Sequence, residues 1–175
     1  MEKDGKVLVT GGGGFIGGHL VADLLRAGHL EIRVVDRKPL SQWYQVFPQA
    51  ENICADLRQL SACRATAHDV RYVFNLAADM DGIGFIETHK AKCMLSVLIS
   101  THVLMAAQEA SVGTLFYSSS ACAYAAEKQT PVPLRESDAY PALPEDGYEW
   151  EKLFSERMCR HFRSAIVSTQ WQSVH

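Results

Sequence analysis

The chain has 175 residues, of which 47% are hydrophobic and 21% charged, with a formal net charge of −3. That length supports one well-buried core and is short for two domains, and the interspersed, slightly acidic charge excludes the basic footprint of a nucleic-acid binder. The five cysteines (54, 63, 93, 122 and 159) are odd in number and include no CxxC pair, which points to a reducing, cytoplasmic setting rather than a disulfide framework or zinc site.

The polar residues 1–6 lead directly into an apolar run and carry no signal-peptide pattern. Lys6–Thr10 reads as a first strand. Residues 15–27 follow as a helix, with Ile16, Leu20, Leu24 and Leu25 on one face and Gly28 as its stop. Residues 31–36 read as the second strand. In the segment 40–50, Trp43, Tyr44 and Phe47 either cap the sheet or line a pocket. A short third strand is expected at 52–55, a helix at 57–67 and a fourth strand at 72–76.

Residues 90–110 read as one long helix, apolar nearly all round and therefore buried on more than one side. Its most apolar window, 93–107, contains Ser96, Ser100, Thr101 and His102 and reads as too short and too polar to cross a membrane. A fifth strand is expected at 114–118, a Pro-rich loop at 130–144 and a last helix at 148–162. Alternating strands and helices imply an α/β, Rossmann-type, doubly wound parallel sheet with helices on both faces.

The strongest motif lies at the first strand–helix junction. Gly11, Gly14 and Gly17 stand in GxxGxxG spacing, after an apolar strand and before an amphipathic helix. The first lets the chain turn sharply, the second lets backbone approach a pyrophosphate, and the third lets the helix pack closely. Unpaired N–H groups at the helix start then face the phosphates. Gly13, Phe15 and Ile16 belong to the same candidate cofactor site.

Asp36 closes the second strand, 19 residues after Gly17. A carboxylate there accepts hydrogen bonds from an adenosine ribose and repels a 2′-phosphate, which favours NAD; Arg37, directly after it, would favour NADP. Asp56 is placed either to meet the adenine or to N-cap the segment from Leu57, itself a cofactor candidate.

Tyr148 and Lys152, four apart on a helix, share one face. Bringing a phenol from a pKa near 10 to near 7 takes about 4 kcal/mol. An ammonium about 4 Å away supplies a similar energy at an effective dielectric of roughly 20. Lys152 is therefore expected to make Tyr148 a base, and Ser120, upstream, to orient a substrate hydroxyl. A surface Tyr–Lys pair is the alternative. His19 reads as a packing or surface residue. His89 and His102 have no carboxylate at ligand spacing, so no metal site is expected.

Thr10-Gly11-x-x-Gly14-x-x-Gly17, Asn75-Leu76-Ala77-Ala78, Ser118-Ser119-Ser120 and Tyr148-x-x-x-Lys152 together resemble the extended short-chain dehydrogenase/reductase family of NAD-dependent nucleotide-sugar epimerases and dehydratases. The resemblance places Ala77 among the cofactor-binding residues. The strings Ala77-Ala78-Asp79-Met80, Gly84-Phe85-Ile86 and Ser119-Ser120-Ala121-Cys122 are similar to the branch that epimerises GDP-mannose at C3 and C5.

That resemblance implies that Tyr148 deprotonates the sugar 4-hydroxyl while hydride passes from C4 to NAD. The 4-keto group then acidifies C3–H and C5–H, Cys122 serves as one acid/base there, and hydride returns to C4. From the residue alone, Cys122 would be a small packing residue. Ala121 and Asp81 fall at substrate-binding positions. Asp81 stands where the branch has glycine, and its carboxylate would face an anionic sugar nucleotide.

The resemblance also implies a homodimer formed through the helices at 90–110 and 148–162. It runs to about residue 163, giving an expected NAD-binding domain at 1–163 and a divergent tail at 164–175, without the family's later lysine or sugar-binding lobe. The alternatives are a 4-epimerase or dehydratase, against which Ala121-Cys122 counts because a dehydratase usually has an acidic pair there, and a catalytically inactive NAD-binding or dimerising module.

Overall fold

A computed structural model describes residues 4–79, 83–123 and 146–165. Five strands form one sheet: β1 Lys6–Thr10, β2 Ile32–Asp36, β3 Glu51–Cys54, β4 Val70–Asn75 and β5 Thr114–Tyr117. Every pairing is parallel, and the strand order is β3-β2-β1-β4-β5. The helices are α1 Phe15–Arg26, α2 Leu60–Ala67, α3 Ile83–Thr88, α4 Lys90–Met94, α5 Ser96–Glu109 and α6 Gly147–Ala165.

Side-chain alternation along the strands divides the core into two layers. Val7, Val9, Val34 and Tyr72 face one side and pack with Val21 and Leu24 of α1. Leu8, Val35 and Val73 face the other and pack with Cys63 of α2, Ile99, Val103 and Leu104 of α5, and Cys159 of α6. Strands buried on both faces leave no room for alternating polarity, so they read as continuous apolar runs.

Strand and helix types match the sequence expectation, while several boundaries differ. The α2 helix starts at Leu60, three residues later than expected, because Asp56 accepts a hydrogen bond from the Arg58 N–H (3.0 Å) and forms a turn. Asp56 therefore does not cap α2; the N-cap is Gln59, which makes no side-chain capping bond. The helix expected at 90–110 is two pieces meeting at Leu95, preceded by the unanticipated α3.

The run Lys90–Glu109 is 20 residues and, by length and composition, sufficient to cross a membrane, which corrects the expectation drawn from its inner window. In this fold Ile99, Val103, Leu104, Ala106 and Ala107 sit in the core. Met94, Leu95 and Leu98 are exposed, while α5 packs against both α2 and α6 and is buried on more than one side as expected.

Trp43 caps the sheet: it is buried in the α1-side layer, and its indole N–H donates to the Lys38 carbonyl (2.7 Å). The expected tail boundary at 163 does not coincide with an element end, since α6 runs to Ala165. The expected Pro-rich loop lies outside the described residues.

Candidate functional site

Reversal of strand order between β1 and β4 opens a crevice beyond the strands' carboxyl ends, where open parallel sheets bind ligands. A cleft of about 790 Å³ occupies it. Its floor is pinned by polar bonds between the two strands. Thr10, fully buried, donates from Oγ1 to Asn75 Oδ1 (2.8 Å) and accepts from the Leu76 and Ala77 N–H groups, both at 3.2 Å.

Gly11 turns at φ +69°, and a Cβ there would lie 2.9 Å from the Ala77 nitrogen. At Gly17 a Cβ would lie 2.4 Å from the Gly11 carbonyl oxygen. The first turn of α1 thus packs on the glycine loop itself rather than on the strand. Around a Cβ built on Gly14, only the Gly11 oxygen approaches within 4 Å, at 3.2 Å, and Gly14 lines the cleft.

No side chain caps α1, leaving the orphan N–H groups of its first turn available beside Phe15 and Ile16, which line the same wall. This cradle fits a pyrophosphate. Gly13 is not among the residues that line the cleft: its Cβ direction points at the Trp43 ring, 2.7 Å away, and its carbonyl accepts the Tyr44 N–H. Its role is to let the indole seat.

The ends of β2 and β3 form the second wall, with Asp36, Arg37, Asp56, Leu57 and Arg58. Asp36 is oriented by the Lys38 N–H, which donates to its Oδ1 (3.0 Å). The Arg58 guanidinium grips Asp56 and holds that carboxyl below the ordinary range. Arg37 makes a two-point pair with Asp79, at 3.0 and 2.6 Å, across the cleft. Asp79, Arg58 and the Thr10–Asn75 pair were not among the site residues expected from sequence. Thr10, Asn75 and Asp79 lie within the quoted motifs, which were the signal available.

At the other end stand Ser118, Ser119, Tyr148 and Lys152. Lys152, 7% exposed, donates from Nζ to the Ser118 carbonyl (2.8 Å) and lies over the Tyr148 ring, 5.7 Å from its centroid. Ser120 lies close enough to the Tyr148 phenol to favour its ionised form, and its Oγ accepts the Cys122 N–H (3.2 Å). Ser120, Tyr148 and Lys152, expected from sequence to act together, come together at this end of the cleft. Ala121 and Cys122, both exposed, lie in one 3₁₀ turn beside it. Asp81 lies outside the described residues.

The electrostatics correct one expectation. Burial pushes the Tyr148 phenol above its ordinary range and outweighs the opposing effect of Ser120, so its net shift runs opposite to the one expected from Lys152. The ammonium donates to the Ser118 carbonyl and sits over the ring face. Burial likewise pushes Lys152 down, while the carboxylates of Glu151 and Glu156 pull it back.

Behind the pair, α6 has an inverted pattern. Glu151, Lys152, Ser155 and Glu156 are buried, whereas Trp150 and Phe154 are about half exposed. Tyr117 and Ser155 donate to Glu151 Oε1, at 3.3 and 3.1 Å, and the Ser119 hydroxyl donates to Glu156. Buried charge on α6 could have been suspected from Glu151, Lys152, Ser155 and Glu156 sharing one helical stripe.

A parallel sheet in this order, with a glycine turn into an uncapped helix and a cleft at the switch point, defines a Rossmann-type dinucleotide-binding fold. The chain belongs to the NAD dependent epimerase/dehydratase family, whose model matches residues 7–170, beyond the point near 163 where the resemblance was expected to end. NAD is the cofactor of that family, and the cradle fits it.

GDP-mannose 3,5-epimerase 1 of Oryza sativa subsp. indica is 41% identical over 160 residues, 90% of this chain and 42% of the rice protein. A crystal structure of UDP-galactose 4-epimerase superposes with a TM-score of 0.81 at 29% identity, over 97% of this chain and 55% of that one. MoeE5 in complex with UDP-glucuronic acid and NAD gives 0.79 at 29% identity, over 97% and 52%. The chain spans about two fifths of the length of the curated relatives it matches and about half that of these structures.

Proposed function

We propose that this chain supplies the NAD-binding and sugar-oxidising half of a nucleotide-sugar epimerase that acts on GDP-mannose at C3 and C5. The observation that carries the reading is that Ser120, whose Oγ accepts the Cys122 N–H, and Cys122 itself both act on the phenol of Tyr148, which lines the cleft. It puts a hydroxyl base, a hydroxyl that orients, and a thiol within one site. Identity to the rice 3,5-epimerase supports the choice of substrate.

NAD, when bound, would supply the hydride acceptor and a positively charged ring. Gly11, Gly14 and Gly17, with the α1 N–H groups, would hold its diphosphate, and Asp36 the ribose hydroxyls. Tyr148 takes the proton of the sugar 4-hydroxyl, which Ser120 orients. Cys122 moves a proton at C3 or C5 once C4 is a ketone. Lys152 holds the Ser118 carbonyl and the Tyr148 ring in register.

The partner in this reading is a second copy of the chain. The exposed apolar residues Met94, Leu95 and Leu98 of the α4–α5 segment, with Trp150 and Phe154 of α6, offer a face for it.

Incubating the chain with GDP-mannose and NAD in deuterated solvent tests the proposal by NMR. Deuterium is expected at C3 or C5, and Cys122→Ser is expected to remove it while NAD binding persists. Absence of exchange, with NAD bound, would refute the catalytic reading.

A further inference from the structure

Three cations and three carboxylates meet where the adenosine end of a dinucleotide would lie, with Arg37, Lys38 and Arg58 facing Asp36, Asp56 and Asp79. They are not equivalent. Asp36 is fixed by a main-chain N–H within its own turn, and Arg58 is committed to Asp56 through three contacts of 2.6–3.0 Å. Arg37 has no bond to either of these acids; both of its guanidinium bonds go to Asp79, which comes from the end of β4 on the far side of the crevice.

Asp79 is itself held in place from below. Its N–H donates to Ser96 Oγ (2.8 Å), and Ser96 is 1% exposed in the first turn of α5. The Asp79 side chain is 13% exposed and the Arg37 side chain 52%, so the acid is the enclosed member and the arginine the solvent-facing one. A guanidinium one residue past the ribose-binding carboxylate is the group that receives a 2′-phosphate when its donors are available. Here they are taken.

We propose that Asp79 is a cofactor-specificity residue: by occupying the Arg37 guanidinium it denies that cation to the 2′-phosphate of NADP and keeps the site selective for NAD. This inference rests on the dinucleotide-binding reading of the cleft. Asp36 repels the 2′-phosphate directly; Asp79 removes the attraction that would offset it. Arg58 lies 3.8 Å from Asp79 but remains with Asp56, so loss of the Asp79 charge releases Arg37.

Calorimetric titration of the full chain with NAD and with NADP tests this. Asp79→Asn keeps the shape and the main-chain bond to Ser96, and is expected to tighten NADP about tenfold or more, the value of one charge-assisted phosphate contact, with NAD changed less than about threefold. Asp79→Ser is expected to do the same and guards against a fold defect peculiar to one variant. Adding Arg37→Gln to Asp79→Asn is expected to return NADP affinity to the native value.

Native NAD binding with no gain for NADP in either Asp79 variant would overturn the inference alone. So would a gain that survives the loss of Arg37. A native chain that binds neither dinucleotide would overturn the reading of the cleft, and this inference with it.

Discussion

Alanine at Gly17 and at Gly14 should separate the two demands made on the glycine loop. At Gly17 the new methyl would lie 2.4 Å from the Gly11 oxygen and 2.6 Å from the Gly12 Cα, both main-chain atoms of a tight turn. Reaching 3.0 Å requires α1 to retreat by about 0.6 Å, which disturbs its packing through Val21 and Leu24. Overpacking of this kind costs roughly 1–3 kcal/mol. In a chain of this length that is a fall in Tm of about 2–4 °C per kcal/mol.

At Gly14 the backbone is extended (φ −83°, ψ 174°), a conformation alanine accepts, and the methyl meets only the Gly11 oxygen at 3.2 Å. Stability should change by less than about 0.5 kcal/mol, as for a surface substitution. The methyl would instead project into the cleft, where the diphosphate must approach the main chain. NAD affinity, measured by calorimetry, should fall at least about tenfold, the loss expected when one charged hydrogen bond is broken. Thermal unfolding and titration on the same two variants give the contrast. A Gly14→Ala chain that binds NAD like the native one would refute the placement of the phosphates.

Arg33→Met should destabilise the chain by about 2 kcal/mol in urea unfolding, because buried Arg33 donates to the Thr66 and His68 carbonyls at the end of α2, at 2.7 and 3.0 Å, and charged hydrogen bonds of this kind are the stronger class. Glu51→Gln should cost less, since that carboxylate is half exposed; equal losses would argue that the ion pair, not the carbonyl bonds, matters. Stability should fall as pH climbs from about 9 towards 12. Burial pushes the thiols of Cys63 and Cys159 from an ordinary value near 9 up to about 12, so the folded chain binds protons that the unfolded chain releases. Cys63→Ser should flatten that fall, and a urea midpoint independent of pH over this range would contradict it. Leu98→Lys should convert a dimer to a monomer in sedimentation if α4, α5 and α6 form the proposed interface; a native chain that sediments as a monomer would remove the second copy from the proposal.

Local pattern was enough to read β1, α1 and the glycine loop, because a strand buried on both faces and an amphipathic helix each repeat a fixed period, and GxxGxxG is a contiguous backbone requirement. Tyr148 and Lys152 were legible for the same reason, four residues apart on one helix. The start of α2 was misplaced because a side chain–main chain turn at Asp56 and a helix N-cap draw on the same residue types. The break at Leu95 has no local marker at all, since neither glycine nor proline stands there.

Sequence alone determined the class of fold and the glycine turn, and it singled out the residues proposed for phosphate binding and acid–base work, since each depends on neighbours within a few positions. Only the tertiary structure decided that Gly13 makes room for Trp43 and that Lys152 bonds the Ser118 carbonyl. It alone joined Arg37 to Asp79 across 42 residues. Such pairings arise where β2 and β4 come to flank the same crevice, and burial then sets the charge each group carries; neither the distance nor the dielectric is encoded in any single stretch of chain.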